Sequence, residues 1–368
     1  MKKRTFLKTT GIVIGGMPFL LNSFTNKKGL PKYWVWLRPS LKTTDSEWVD
    51  IFKKLKESGV QAVLPQIYSS SSALFEIEGY TVQDRWLERI IPIAQKEGIE
   101  IHAWMWTMIC NDSKMLEEHP DYYVVNRKGE SAATSPAYVG YYKFLCPRRP
   151  EVRAYVQHRV KTLASIPGLS GVHLDYVRMP DVILAEGLQP KYNIVQDKEY
   201  PEYDYCYCDY CRSEYKKKSG IDPMEIEDPE NDADWYQFRY DAVNDMVNNF
   251  LVPEARSRGK KITAAVFPNW ESVRQQWHKW DLDGFLPMLY HKFYNAEYQW
   301  IGEEVVKAKD RLQNDKPVYA GMFIPHLKGN ELVLAYEDAK SKGADGFALF
   351  AHGNLKDEDY VMLKKMTK

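Results

Sequence analysis

The stretch Leu169-Ser170-Gly171-Val172-His173-Leu174-Asp175-Tyr176-Val177 is an apolar run that ends beside a carboxylate, with Arg178 immediately after it. A run this short, rich in Val and Leu and preceded by a Pro-Gly turn, reads as a strand buried on both faces. Seven more runs of the same kind occur at Tyr33–Leu37, Ala62–Tyr68, Glu100–Trp106, Ile262–Phe267, Gly284–Tyr290, Val318–Phe323 and Gly346–Ala351. Helical patterns lie between them. After Thr44, the residues Trp48, Ile51, Phe52 and Leu55 fall on one face, and Thr44 with Glu47 forms a capping box. Trp86, Leu87, Ile90, Ile91 and Ala94 make a second stripe. Further helices are expected over 150–164, 234–256, 297–312, 331–342 and 356–366. The link 269–282 is shorter and its helical pattern weaker. Ser58-Gly59, Glu97-Gly98, Arg258-Gly259 and Lys342-Gly343 supply helix-ending turns before the next strand. Eight strand–helix units without a GxGxxG turn or a P-loop predict an α/β fold, a (β/α)8 TIM barrel.

Two connections are far longer than such a barrel needs, 107–149 after strand three and 179–232 after strand four. Both leave C-terminal strand ends, the face on which barrel enzymes build their sites. They are rich in Tyr and lack low-complexity sequence, so they are expected to wall a cleft. The residues expected to face a substrate there are Trp36, Gln66, Tyr68, His102, Trp104, His173, Arg178, Trp270, Tyr290, His291 and His352. Flat aromatic rings among amides, hydroxyls and imidazoles match a ligand with alternating C–H patches and hydroxyls, which is a sugar.

Asp175 is the sharpest chemical signal. A carboxylate at the end of a buried strand is costly unless it is paired or used, and Arg178 is placed to hold it ionised as a nucleophile or base. Glycoside hydrolysis ordinarily uses two carboxylates, about 5–5.5 Å apart for retention and about 6.5–9.5 Å for inversion. Glu271 is the first expected partner and Asp181 the second, with Asp112 and Asp204 behind them. Gly171 to Arg178 resembles the fourth-strand motif of the bacterial glycosyl-hydrolase-like family-10 proteins, a group distinct from the true family-10 xylanases. The motifs His119-Pro120-Asp121-Tyr122 with Gly129, Leu145-Cys146-Pro147 followed by Pro150-Glu151-Val152-Arg153, and Asp283-Gly284-Phe285 leading to Pro287-Met288-Leu289-Tyr290 resemble it in the same order. The resemblance spans about residues 32–355. It implies a TIM barrel that acts on glycosidic bonds, with Asp175 at the catalytic acidic position.

Two other functions compete. Five of the eight His map to strands or strand ends, which raises a metal-dependent hydrolase. Strand one, however, reads Trp34-Val35-Trp36-Leu37-Arg38 rather than His-x-His, and no Asp ends strand eight. A chitinase-type motif would need Glu where Val177 stands. The absence of an obvious second carboxylate leaves a carbohydrate-binding barrel without turnover as the main alternative. Catalysis is expected to need no cofactor.

Five Cys occur, and Cys206, Cys208 and Cys211 form C-x-C-x-x-C inside the second long loop. Three thiolates at that spacing can share one tetrahedral ion, with Cys146 or a nearby His or Asp as fourth ligand, and a structural zinc is expected slightly ahead of disulfides. The charge balance of 50 Lys+Arg against 50 Asp+Glu speaks against a nucleic-acid surface, and no obligate protein partner is evident. Aromatics at 14% speak against disorder. Lys2, Lys3, Arg4 and Lys8 precede an apolar Gly11–Leu21, well short of the about 20 residues of a membrane span. Residues 1–28 thus read as a Tat-like or Sec export signal, placing a mature chain of 29–368 in the periplasm. No Cys follows the apolar segment to anchor a lipid, and no membrane span is expected in the mature chain.

Overall fold

A computed structural model describes residues 29–312, 315–327 and 329–367; the expected export signal lies outside them. Eight parallel strands form one sheet: β1 (Tyr33–Leu37), β2 (Ala62–Tyr68), β3 (Glu100–Trp106), β4 (Gly171–Asp175), β5 (Lys261–Val266), β6 (Gly284–Pro287), β7 (Tyr319–Phe323) and β8 (Gly346–Phe350). Neighbours pair in sequence order from β1 to β6, and β8 bridges β1 and β7. The last seam, β6 to β7, is joined by the parallel bridges Phe285–Val318 and Met288–Gly321. The result is a (β/α)8 barrel, and all eight expected strands are present.

Helices cover the outside where the 3.6-residue stripes lie. Trp48, Phe52 and Leu55 of the helix Asp45–Glu57 are buried, and Thr44 and Glu47 complete their reciprocal cap. Gly59, Gly98, Gly259 and Gly343, at the predicted helix ends, all adopt φ between +69° and +102°, a region closed to most side chains. The expected helix over 234–256 is present as Ala233–Asp245, a wider π turn Met246–Leu251, and Val252–Arg256. Between β5 and β6 the chain makes only the 3₁₀ turns Trp270–Val273 and Trp277–Lys279.

Side chains alternate in and out along each strand, and closure stacks the inward ones in layers. Trp34, Trp36, Leu64, Trp104, Ala265, Leu286, Tyr319 and Ala348 form the apolar part of this interior. His102, His173 and Thr263, each fully buried, share it. The long loop after β3 folds back as short antiparallel bridges, and Asn126 pairs there with Tyr205 of the loop after β4. Each long connection therefore leans on the other.

Closure leaves no room at β8. A Cβ on Gly346 would lie 1.8 Å from the carbonyl oxygen of Lys32, which already accepts the Phe347 N–H across the β1–β8 seam. Because the obstruction is backbone, Gly346→Ala should cost about 3 kcal/mol. Urea unfolding of both proteins measures this, and a loss below about 0.5 kcal/mol would remove the closure argument.

Candidate active site

The topmost inward positions of the strands form the floor of a cavity of about 440 Å³. Arg38, Trp106, Asp175, Phe267, Met288, Phe323 and Phe350 all line it, each at or just past the end of its strand. Walls come from the two long loops, with Tyr141 and Tyr142 on one and Asp181, Leu184 and Tyr192 on the other; Phe293 and Tyr294 close the side after β6.

Asp175 is set from behind. Its Oδ2 accepts the Trp104 Nε1–H at 2.9 Å and its Oδ1 accepts the Tyr176 N–H at 2.7 Å. Tyr176 holds φ at +50°, a costly conformation for a non-glycine residue that turns the chain abruptly after the carboxylate. The strand register places Trp104 beside His173 and Trp106 beside Asp175. Burial pushes the Asp175 carboxyl up to about 6, outweighing those two hydrogen bonds and the Arg178 charge. The expectation that Arg178 holds Asp175 ionised is therefore corrected. Arg178 Nη1 instead donates to Asp181 Oδ2 at 2.9 Å and to the Met179 carbonyl at 2.8 Å. Its guanidinium lies among Phe267, Tyr176 and Phe144, 4.6–5.4 Å from the ring centres. Asp181 and Arg178 form a buried pair in the cavity wall.

Of the expected site residues, the cavity brings together Asp175, Asp181, Trp104, Arg178 and Tyr290. The others sit elsewhere. Trp36 and His173 lie deeper in the barrel, where Trp36 Nε1 donates to His173 Nε2 at 3.2 Å and His173 Nδ1 meets Thr263 Oγ1 at 2.9 Å. Burial holds the His173 ring well below its ordinary pKa and therefore neutral. His102 is lower still, bonded to Glu100. Both had the right face of the strand but the wrong height. Tyr68 points outward and carries the Arg159 guanidinium on its ring at 3.9 Å. Gln66 lines a smaller recess of about 130 Å³ that shares only Arg38 with the cavity. Trp270 packs on Tyr240 and His278, and His291 faces His326. His352, in a 3₁₀ turn after β8, does not line the cavity.

The carboxylates sort in the same way. Glu271 lines a separate groove with Asn269, Trp300 and Glu304, on the far side of Tyr294, so it does not face Asp175. Asp204 is buried between Arg239 and Arg274, and Asp112 caps the helix Ser113–Glu118 through the Met115 N–H. Among the described residues, Asp175 and Asp181 are the cavity's acids. Phe323 and Phe350 were missed, although the two-residue alternation from Gly321 and Ala348 marks them as the next inward positions. The loop tyrosines were visible only as a local excess of Tyr.

The sulfurs of Cys146, Cys206, Cys208 and Cys211 come together apart from the cavity, all within 4.8 Å of one another. Cys146 and Cys211 are 3.4 Å apart, and Cys208 and Cys146 3.7 Å. The fifth, Cys110, is buried near the Tyr155 hydroxyl.

Eight parallel strands with helices outside and a cavity over their C-terminal ends define the class of (β/α)8 TIM barrels. Residues 34–325 match the sequence model of the glycosyl hydrolase-like 10 family, and the chain belongs to that family. No curated protein matches it in sequence. Its fold is similar to that of the PgaB (BpsB) glycoside hydrolase domain from Bordetella bronchiseptica, with a TM-score of 0.71 at 12% identity, covering 92% of this chain and 99% of that one. The catalytic domain of a β-amylase from Paenibacillus polymyxa gives 0.63 at 11%, over 89% and 94%. A β-galactosidase from Bacillus circulans sp. alkalophilus gives 0.66 at 14%, over 93% of this chain and 56% of that one, so this chain spans just over half its length.

Asp175 should weaken the fold at neutral pH. Its carboxyl is raised from an ordinary 3.8 to about 6, so folding favours the protonated form. That contribution is complete below about pH 4 and is lost as pH rises through 6. Asn keeps one acceptor for the Trp104 and Tyr176 N–H groups and loses the other at every pH, so the pH-dependent part is the test: relative to the parent, Asp175→Asn should gain about 3 kcal/mol of stability between pH 4 and pH 8. Urea unfolding of both proteins at the two pH values measures this; a stability difference that does not change with pH refutes it.

Proposed function

We propose that the protein hydrolyses glycosidic bonds of a poly- or oligosaccharide in the cavity above Asp175. The observation that carries this reading is the Asp175 carboxyl itself, desolvated to a pKa of about 6 and open to an aromatic-walled cavity. An acid poised near neutrality can hold a proton and still release it. Each of its oxygens accepts one bond from behind, which leaves a lone pair on each for a proton or a sugar hydroxyl. Trp104, Trp106, Tyr176 and Phe350 offer faces for sugar rings, and Arg38 and Lys191 offer donors at the rim.

In this reading Asp175 donates its proton to the glycosidic oxygen as the bond from that oxygen to the anomeric carbon breaks. Water adds at the anomeric carbon and gives its proton to Asp181. No cofactor takes part. Among the described residues no helix is long and apolar enough to cross a membrane. The basic and then apolar residues 1–28 support export, with the substrate met in the periplasm.

One observation favours a second reading. Asp181 is already bonded to the buried Arg178, and a base tied up in this way would leave a barrel that holds glycans without cleaving them.

The experiment is turnover of a polysaccharide and glycan panel by the parent, Asp175→Asn and Asp181→Asn. Hydrolysis is expected to fall at least 10³-fold in Asp175→Asn, and kcat/KM of the parent to fall about tenfold per pH unit above about pH 6. Asp181→Asn should fall at least 10²-fold. Binding of one glycan by all three proteins, with no product from any, would establish the second reading instead.

A further inference from the structure

The geometry points to a Zn²⁺ ion held by the thiolates of Cys146, Cys206, Cys208 and Cys211, which fastens the two loops that wall the cavity. Four sulfurs around a tetrahedral zinc, at about 2.3 Å from the metal, stand about 3.8 Å from one another. Cys146 and Cys211 stand 3.4 Å apart and Cys146 and Cys208 3.7 Å, with all four inside 4.8 Å. A disulfide would bring two sulfurs to about 2.05 Å and leave the other two apart. All four side chains are buried, at 3% exposure or less, which excludes water as a competing partner.

The local chain is built for thiolates. Cys208 is the N-cap of the helix Asp209–Ser219 and Cys211 lies in its first turn, where unpaired backbone N–H groups and the helix dipole favour negative charge. Cys206 stands two residues before Cys208, and Cys146 arrives from the other loop. A zinc tetrathiolate carries a net charge of −2, and the chain places cations against it. Arg148 and Arg149 follow Cys146-Pro147 directly. Arg149 lies within electrostatic reach of both Cys208 and Cys146 while paired to Asp121, and its Nε is buried without a partner.

The position of the cluster gives it a consequence. Cys146 stands four residues beyond Tyr142, a wall of the cavity, and the three other cysteines lie farther along the loop that carries Leu184, Lys191 and Tyr192. Backbone pairing already joins these loops at Asn126–Tyr205 and from the Tyr207 N–H to the Val125 carbonyl. An ion shared by both would convert that contact into a fixed joint. Neither the ion nor its test depends on whether the cavity cleaves or only binds a sugar.

The test begins with the full chain purified without chelator. One zinc per chain is expected, together with five free thiols after denaturation. Replacement by Co²⁺ should give the intense absorption of a tetrahedral cobalt tetrathiolate. Cys208→Ser and Cys211→Ser should lose the metal at least tenfold, whereas Cys110→Ser should keep it in full. Where a Ser variant fails to fold, the cobalt spectrum of the parent decides the matter. Absence of metal with no Co²⁺ uptake under reducing conditions overturns the site, as does a mass showing disulfides among these four cysteines. For the joint, metal-depleted protein should be cut by protease within 107–149 and 176–232 at least tenfold faster than the parent, with protection restored by Zn²⁺. Unchanged cleavage would overturn the fastening role.

Discussion

Side-chain alternation on a closed parallel sheet is the constraint from which the rest of this protein follows. Once eight strands close, every second residue must point into a space of fixed width, and those residues stack in layers. The lower and middle layers are filled by Trp34, Trp36, His102, His173 and Trp104, which is why so many large rings sit inside. The top layer has no strand above it. Whatever stands there, Asp175 among Trp106, Phe267, Phe323 and Phe350, becomes the floor of a cavity. Close closure also explains why Gly346 and Gly321 carry no side chain, since each Cβ would strike a backbone carbonyl oxygen of the next strand.

Placing a carboxyl in that layer costs stability above its pKa and keeps its proton near neutrality, and the two effects have one origin. Removal from water disfavours the charged form, and the two hydrogen bonds from Trp104 and Tyr176 recover only part of that. Had Arg178 bonded directly to Asp175, the carboxyl would be a settled anion. Its bond to Asp181 leaves Asp175 close to neutrality and gives the wall of the cavity a buried pair instead. Membership of a glycosyl hydrolase-like family and the fold similarity to glycosidases agree with a site of this kind. At 11–14% identity those structures speak for the fold.

The loops above the barrel have little regular structure and are held by polar joints. Asp204 joins Arg239 and Arg274, and Arg274 reaches Glu199, so one buried network ties the loop after β4 to the chain beyond β5. Gln196 and Gln189 pin the segment around Leu184 through backbone bonds. The cysteine cluster joins both loops. These joints add to an apolar footing, in which Met108, Ile109, Tyr123, Phe144 and Leu145 of one loop and Met179, Val182, Tyr205 and Tyr207 of the other are buried.

Much of the fold was legible in one dimension because its signals are local. Five- to nine-residue apolar runs, 3.6-residue stripes and glycine stops each report their own neighbourhood, and strands β1 to β3 begin and end where those runs do. Asp175 stood out for the same reason, as a charge at the end of a buried run. Height within the barrel was not legible. His102, His173 and Asp175 lie on one face of one strand pair, and only the register and the closure decide that the first two are core while the third meets the cavity. The partner of Arg178, the exclusion of Glu271 by Tyr294, and the choice of Cys146, rather than a nearby His or Asp, beside the three later cysteines were decided by tertiary structure alone. Those contacts depend on where long loops return in space, and sequence spacing does not encode that distance.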